Sequence, residues 1–140
     1  MIPHNAEAAT LAFIALFVAH FAGDYLAQTD HMATHKAGPG LRGWLANAAH
    51  VGAHLAAMLA TLAVARLALG FTTGTWPTAA ALAWAAGTHG LIDRRRVITW
   101  WMTRTGSSGF LERGGAPLVD QAAHIVVGLF PAAVLIGAAA

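Results

Sequence analysis

The sequence predicts an all-α fold: a four-helix transmembrane bundle with a short interfacial segment in the third loop. The first observation behind this is composition, since 57% of the 140 residues are hydrophobic and only 10% are charged, whereas a soluble domain carries about 25% charged residues. The second is that apolar segments recur four times, each near the roughly 20 residues that a helix needs to cross about 30 Å of hydrocarbon. Helices are expected because lipid offers no partners to backbone polar groups.

The chain is expected to form a single four-span membrane domain over residues 1–140. The spans are predicted at about Ala8 to Gln28, Trp44 to Leu69, Trp76 to Asp93, and Pro117 to Ala139. Glycine and proline residues mark the connections between them. Abundant alanine and glycine within the spans favour close helix packing.

Basic residues near the span ends predict the orientation of the chain. Lys36 and Arg42 lie in the first loop and five arginines lie in the third, whereas Arg66 is alone on the opposite side. Because cytoplasmic loops carry an excess of lysine and arginine, loops one and three are expected in the cytoplasm and both termini outside. The stretch "RRRVITWWMTR" is expected to lie in the cytoplasmic interface as an amphipathic helix.

Each predicted span carries two ionisable side chains separated by four residues. The pairs are His20 and Asp24, His50 and His54, His89 and Asp93, and Asp120 and His124. A spacing of four places both members on one helix face. In the predicted topology the pairs reach comparable depth, with a deep layer of four histidines and a shallow layer of three aspartates and His50. Placing an ionisable side chain at the middle of the bilayer costs at least about 2.5–3.5 kcal/mol, so these side chains require partners.

These eight side chains are the predicted metal ligands, five imidazoles and three carboxylates. They suit one or two divalent ions, with zinc foremost and manganese or iron as alternatives. The absence of cysteine excludes a thiolate site. An interhelical hydrogen-bond network and a proton or ion path are the rival interpretations. Haem held by two histidines is disfavoured because the adjacent aspartates suit a harder ion.

Catalytic and substrate-binding roles can be assigned to the same end of the spans. One of Asp24, Asp93 and Asp120 is expected to remain unligated as a general base, and the choice among them stays open. Gln28 and the run Arg94, Arg95 and Arg96 are the predicted substrate-binding residues, although the arginines also serve to set topology. The remaining polar residues of the first loop are expected to be solvated: Asp30, His31, His35 and Lys36.

The function predicted from these residues is a membrane-embedded, metal-dependent hydrolase acting on a lipid or lipopeptide near the cytoplasmic interface. A divalent-cation or proton transporter is the alternative, and a metal-stabilised adaptor without catalysis is a third. The outer halves of the spans carry few polar side chains, which favours a sealed site over a permeation path. The expected partner is the lipid bilayer; nucleic acid is excluded, and a homo-oligomer is left open.

Four motifs together resemble a known family. They are "AHFAGDYLAQTDHMATHK", "AHVGAH", "THGLID" and "LVDQAAH", and in this order and spacing they resemble the small bacterial membrane proteins grouped as domain of unknown function 3307. The resemblance covers nearly the whole chain. It implies a four-span protein of the bacterial inner membrane and leaves the activity undefined. One departure is that three arginines follow the third motif, where the family often has a lysine.

Overall fold

The computed structural model describes residues 4–140, and every regular element in this range is a helix. The helices are α1 (His4–Tyr25), α2 (Asp30–His35), α3 (Gly40–Leu69), α4 (Thr75–Asp93), α5 (Arg96–Arg104), α6 (Ser108–Glu112), α7 (Ala116–Ala123), a π-helical segment (His124–Leu129) and α8 (Phe130–Gly137). The last three are continuous and act as one long helix.

Three helices are long and apolar enough to cross a membrane, namely His4–Tyr25, Gly40–Leu69 and Ala116–Gly137. They correspond to the predicted first, second and fourth spans. Helix α4 matches the third predicted span in position and has 19 residues, but it is not among the three. Its last turns carry the polar residues Thr88, His89 and Asp93, which lower its mean hydropathy.

The helix ends differ from the predicted span ends by a few residues. Helix α1 stops at Tyr25 rather than Gln28, and Thr29 then caps α2, its hydroxyl accepting a hydrogen bond from the Met32 backbone N–H at 3.3 Å. Helix α3 begins at Gly40, directly after Pro39, and ends at Leu69; the capping residue Gly70 follows, and its positive φ of 66° suits a glycine. The first connection therefore contains a short helix where only a loop was expected.

The long helices pack in a ring. Helix α1 contacts α3 and α8, and α4 contacts α3, the π-helical segment and α8. Small side chains dominate the buried faces, so the backbones approach closely. At Gly137 a Cβ atom would lie 2.5 Å from the Ala9 Cβ and 2.6 Å from the Asn5 carbonyl oxygen.

The two ends of the ring differ in chemistry. One half is filled by an apolar cluster in which alanine alternates with larger residues such as Leu16, Met58 and Ile136. The other half holds the buried polar side chains and is bordered by α2, which packs on α3, and α5, which packs on α4 and α7. Helix α5 buries Ile98 and Met102 and exposes Trp100 and Trp101, as expected of an amphipathic interfacial helix.

The π-helical segment is a feature that the hydrophobic pattern did not predict. It begins at His124 and widens the last long helix for six residues. The Trp84 indole N–H donates to the Val127 carbonyl oxygen at 2.8 Å, and so satisfies an acceptor within the widened turn. Such single-turn π segments are frequent at functional sites.

Replacing Gly137 should separate α1 from α8. We expect Gly137→Ala to cost about 1–3 kcal/mol because the added methyl meets backbone and cannot be accommodated by a rotamer change. Gly87→Ala is the matched control: it is also helical and nothing lies within 4 Å of its Cβ position, so it should be neutral or stabilising by up to about 1 kcal/mol. Unfolding in detergent measures both, and equal behaviour of the two variants would contradict this account of the helix contact.

Candidate metal centre

The four histidines of the predicted deep layer meet inside the ring of helices. His20, His54, His89 and His124 are all at most 2% exposed. The shortest ring-centroid separations are 3.8 Å between His54 and His89 and 4.2 Å between His89 and His124. Each histidine comes from a different long helix, so the four faces identified by the four-residue spacing do converge.

Asp24 lies at the centre of the polar contacts. Its Oδ1 atom is 3.2 Å from His54 Nε2 and 3.3 Å from His50 Nε2. Its Oδ2 atom accepts a hydrogen bond from Gln121 Nε2 at 2.9 Å and lies 3.4 Å from His20 Nε2. One carboxylate of α1 thus joins residues of α1, α3 and α7.

The contacts of His124 define which of its nitrogens can accept. Its Nδ1 lies 3.0 Å from the Asp120 backbone carbonyl oxygen, which can only accept, so Nδ1 carries the hydrogen and donates. In the neutral imidazole the Nε2 atom then carries the lone pair, and it is buried without a hydrogen-bond partner. A histidine oriented in this way through its other nitrogen is the usual arrangement of a metal ligand.

Asp93 and His50 form the second contact centre, and Lys36 joins them. The Lys36 ammonium donates to Asp93 Oδ1 at 2.8 Å and to His50 Nε2 at 2.9 Å. Asp93 Oδ2 lies 3.3 Å from His50 Nε2 and 3.2 Å from His89 Nε2. The expectation that Lys36 is a solvated loop residue is therefore wrong, since only 12% of its side chain is exposed.

Arg94 explains why the first connection turns inward. Its guanidinium donates to the carbonyl oxygens of Lys36 at 2.8 Å and Gly38 at 2.7 Å, and it stacks 4.4 Å from the centroid of the Trp44 ring. Arg94 is buried and its donors serve this loop, which leaves Arg95 and Arg96 as the exposed members of the arginine run. The role of all three in substrate binding stays a prediction.

Two groups of side chains bring their ligand atoms within 4.8 Å of one another. The first comprises Asp24, His50, His54 and His89, and the second comprises His89, Asp93 and His124. A tetrahedral ion with bonds of about 2.0–2.1 Å separates its ligand atoms by roughly 3.3–3.4 Å. The nitrogen–oxygen separations of 3.2–3.3 Å around Asp24 and Asp93 are close to that spacing and exceed the usual length of a charge-assisted hydrogen bond.

Unpartnered buried atoms support the same interpretation. His89 Nε2, Asp93 Oδ2 and His124 Nε2 all lack a hydrogen-bond partner, and they belong to one of the two groups. Leaving a buried polar atom unpaired costs about 1–3 kcal/mol. Three such atoms converging on one place fit a cation, so the residues present suit a divalent ion.

Two predicted ligands lie outside both groups. His20 Nε2 faces the Gln121 amide oxygen at 3.1 Å, and because the Gln121 nitrogen donates to Asp24, the amide orientation makes His20 the donor. Asp120 touches the cluster through His124 alone, with Oδ2 3.4 Å from His124 Nδ1. Gln28 is half-buried and its amide donates to the Asp24 backbone carbonyl at 3.3 Å.

Gln121 and Lys36 are the site residues that sequence reasoning missed. Gln121 stands next to Asp120 in "LVDQAAH", and the four-residue spacing of the ionisable side chains does not mark it. Lys36 is the only lysine of the chain, and this feature of the sequence sets it apart from the arginines. Its inward direction depends on Arg94, 58 positions away, and could not be predicted from local spacing.

Asp120 borders a cavity of about 150 Å³, whose other lining residues are Arg95, Ile98, Thr99, Ala116 and Pro117. Its side chain is 20% exposed, more than Asp24 or Asp93. Among the three aspartates it is therefore the one that solvent or a ligand reaches most easily.

Removing the Gln121 amide should weaken the centre without removing a candidate ligand. We expect Gln121→Met to cost about 1–3 kcal/mol, because His20 Nε2 loses its acceptor and Asp24 Oδ2 loses a donor. Gln28→Met is the control, since that amide contacts only a main-chain oxygen. Unfolding in detergent measures the cost, and imidazole NMR shifts of His20 report the lost contact. Unchanged His20 shifts would refute the assigned bond.

Comparison with known proteins agrees with the motifs. No curated protein and no solved structure matches the chain. The family model described as "Protein of unknown function (DUF3307)" matches residues 12–137, a range that includes all the residues of both candidate ligand groups. The chain therefore belongs to this family of proteins of unknown function.

Proposed function

We propose that the protein is a membrane-embedded, metal-dependent hydrolase whose substrate is a lipid or another membrane-associated molecule. The single observation that carries the proposal is the convergence of the two ligand groups on His89, inside a helical ring in which three long helices are apolar enough to cross a bilayer. We further propose that α4 crosses the membrane with the three longer helices, in one four-span domain.

The outer surface supports the membrane placement. Large apolar side chains of the long helices face outward, with Leu67 86%, Ile14 53% and Val64 63% exposed, an arrangement that suits lipid rather than water. The end that holds the cluster carries most of the arginines, which favours a cytoplasmic location for that end. In this orientation the termini are outside, in a bacterial inner membrane.

The closed opposite end favours an enzyme over a transporter. Within residues 4–140, every buried polar side chain belongs to the end that holds the histidines, and an apolar cluster fills the other end. The half-buried Thr61 hydroxyl at that end donates to the Met58 carbonyl at 3.1 Å. A permeation path would need polar groups continuing to the outer surface. Flux of divalent cations or protons through proteoliposomes would overturn this part of the proposal.

Zinc is the proposed ion, with manganese or iron as alternatives, because histidine and carboxylate ligands suit all three. A divalent ion in this site would polarise an ester or phosphoryl oxygen and activate a water molecule. The candidate ligands would hold such an ion at the cluster end of the ring. Arg95 and Arg96 are placed to hold an anionic headgroup there.

Asp120 is the proposed general base. It lies outside both ligand groups, it is the most exposed of the three aspartates, and it faces a cavity. Its Oδ2 atom accepts a proton from water as the water oxygen bonds to the acyl carbon or phosphorus. The ester bond breaks, and the same proton passes to the leaving oxygen.

Metal content tests the first half of the proposal. The purified full chain should contain stoichiometric metal by elemental analysis, and His89→Ala should lose most of it, because His89 belongs to both groups. His31→Ala is the matched control, an exposed histidine on α2. Metal-free wild-type protein that also fails to bind added Zn²⁺ or Mn²⁺ would refute the proposal.

Hydrolysis tests the second half. With a fluorogenic ester, a phospholipid and a prenyl phosphate as probes, Asp120→Asn should lower the turnover of whichever probe the wild type cleaves by about 10²–10⁴-fold, the usual contribution of a general base. Metal content should be unchanged. Glu112→Gln removes an exposed carboxylate at the end of α6 and should leave turnover intact. Equal turnover of the wild type and Asp120→Asn would exclude Asp120 as the base.

A further inference from the structure

Lys36 brings a second positive charge into the candidate metal centre. Its ammonium contacts one member of each ligand group, His50 of the first at 2.9 Å and Asp93 of the second at 2.8 Å. Within residues 4–140 it is the only lysine or arginine that forms an ion pair with a carboxylate. All other positive residues of the chain are arginines.

The hydrogen bond from Lys36 occupies the one nitrogen lone pair of the His50 side chain. A neutral imidazole has one nitrogen lone pair, and an ammonium group can only donate. When Lys36 donates to His50 Nε2, the lone pair of that atom points at the ammonium and is unavailable to a metal. The same ammonium neutralises Asp93 through Oδ1.

Backbone contacts fix the position of Lys36. Arg94 holds the Lys36 and Gly38 carbonyl oxygens, and the Lys36 backbone N–H donates to the Met32 carbonyl at 2.9 Å. A Cβ atom at Gly43 would overlap the Gly38 carbonyl, so α3 also packs tightly against this turn. These contacts direct the side chain into the cluster.

We propose that the Lys36 ammonium is the resident second cation of the centre and limits it to one divalent ion. This inference rests on the proposed metal-binding function. With His50 held by Lys36, each group offers three ligands, Asp24, His54 and His89 in the first and His89, Asp93 and His124 in the second; because both need His89, only one ion is bound at a time. Three protein ligands and one open position are typical of catalytic zinc sites.

The second group cannot hold an ion at the same time as the first. It shares His89 with the first group, and the charge of its carboxylate, Asp93, is already balanced by Lys36. Lys36 already pairs with Asp93, and the buried Arg94 guanidinium contacts the same turn, so this region carries positive charge before any ion binds. A second ion would leave an excess of positive charge in a region of low dielectric, which is costly.

Metal stoichiometry tests the inference. The full chain in detergent is titrated to saturation with Zn²⁺, washed and assayed by elemental analysis. Wild type should retain one equivalent and Lys36→Met two, a twofold increase. Lys36→Arg keeps the charge and should retain one, as should Arg42→Gln, which removes an exposed charge from the neighbouring turn of α3.

Mn²⁺ electron paramagnetic resonance gives a second readout. Wild-type protein should show an uncoupled Mn²⁺ spectrum, and Lys36→Met the spectrum of a spin-coupled pair. The wild-type spectrum keeps the inference testable even if Lys36→Met does not fold.

Each outcome bears on a different claim. Two equivalents or a coupled pair in the wild type would overturn the role of Lys36 while supporting the proposed metal centre. One equivalent in both wild type and folded Lys36→Met would also overturn it. A wild type that binds no Zn²⁺ and no Mn²⁺ would refute the proposed function itself.

Discussion

The polar half of the protein depends on the Asp24 carboxylate. This one carboxylate lies within 3.4 Å of the histidines of α1 and α3 and of the Gln121 amide nitrogen of α7. Removing one partner of such a buried set leaves the others uncompensated, at a cost of about 3–5 kcal/mol for a charged pair. These contacts offset the cost of burying the polar side chains. They also hold the imidazole rings around the place where a cation would bind.

Backbone features place the side chains around this carboxylate. A Cβ atom at Gly23 would lie 2.4 Å from the His54 ring, so a glycine one position before Asp24 leaves room for the imidazole. Asn47 donates its amide to the Gly90 carbonyl at 3.1 Å and so fixes α3 against α4 near His89. The π-helical segment begins at His124 itself. Close packing of small residues, rather than side-chain flexibility, thus sets the geometry of the centre.

The two halves of the helical ring differ in polarity, and this difference bears on the proposed function. Its apolar half closes the interior and supplies most of the buried hydrophobic contacts, whereas its polar half is covered by the connections that carry Lys36, Arg94 and α5. The Arg94 guanidinium, stacked on Trp44, holds the first connection in place. The site is consequently closed from one side and bordered by basic residues on the other, an arrangement that suits chemistry at a membrane surface.

The sequence by itself determined the all-helical fold, the approximate extent of the long helices and the residues that meet at the centre, because helical periodicity places residues four apart on one face. It could not separate His20 and Asp120 from the other six candidates, since their places depend on the Gln121 amide and on which face α7 turns to its neighbours. Nor could it place Lys36. That position follows from a contact with Arg94 across the fold, and only tertiary packing decides a contact between residues so far apart in the chain.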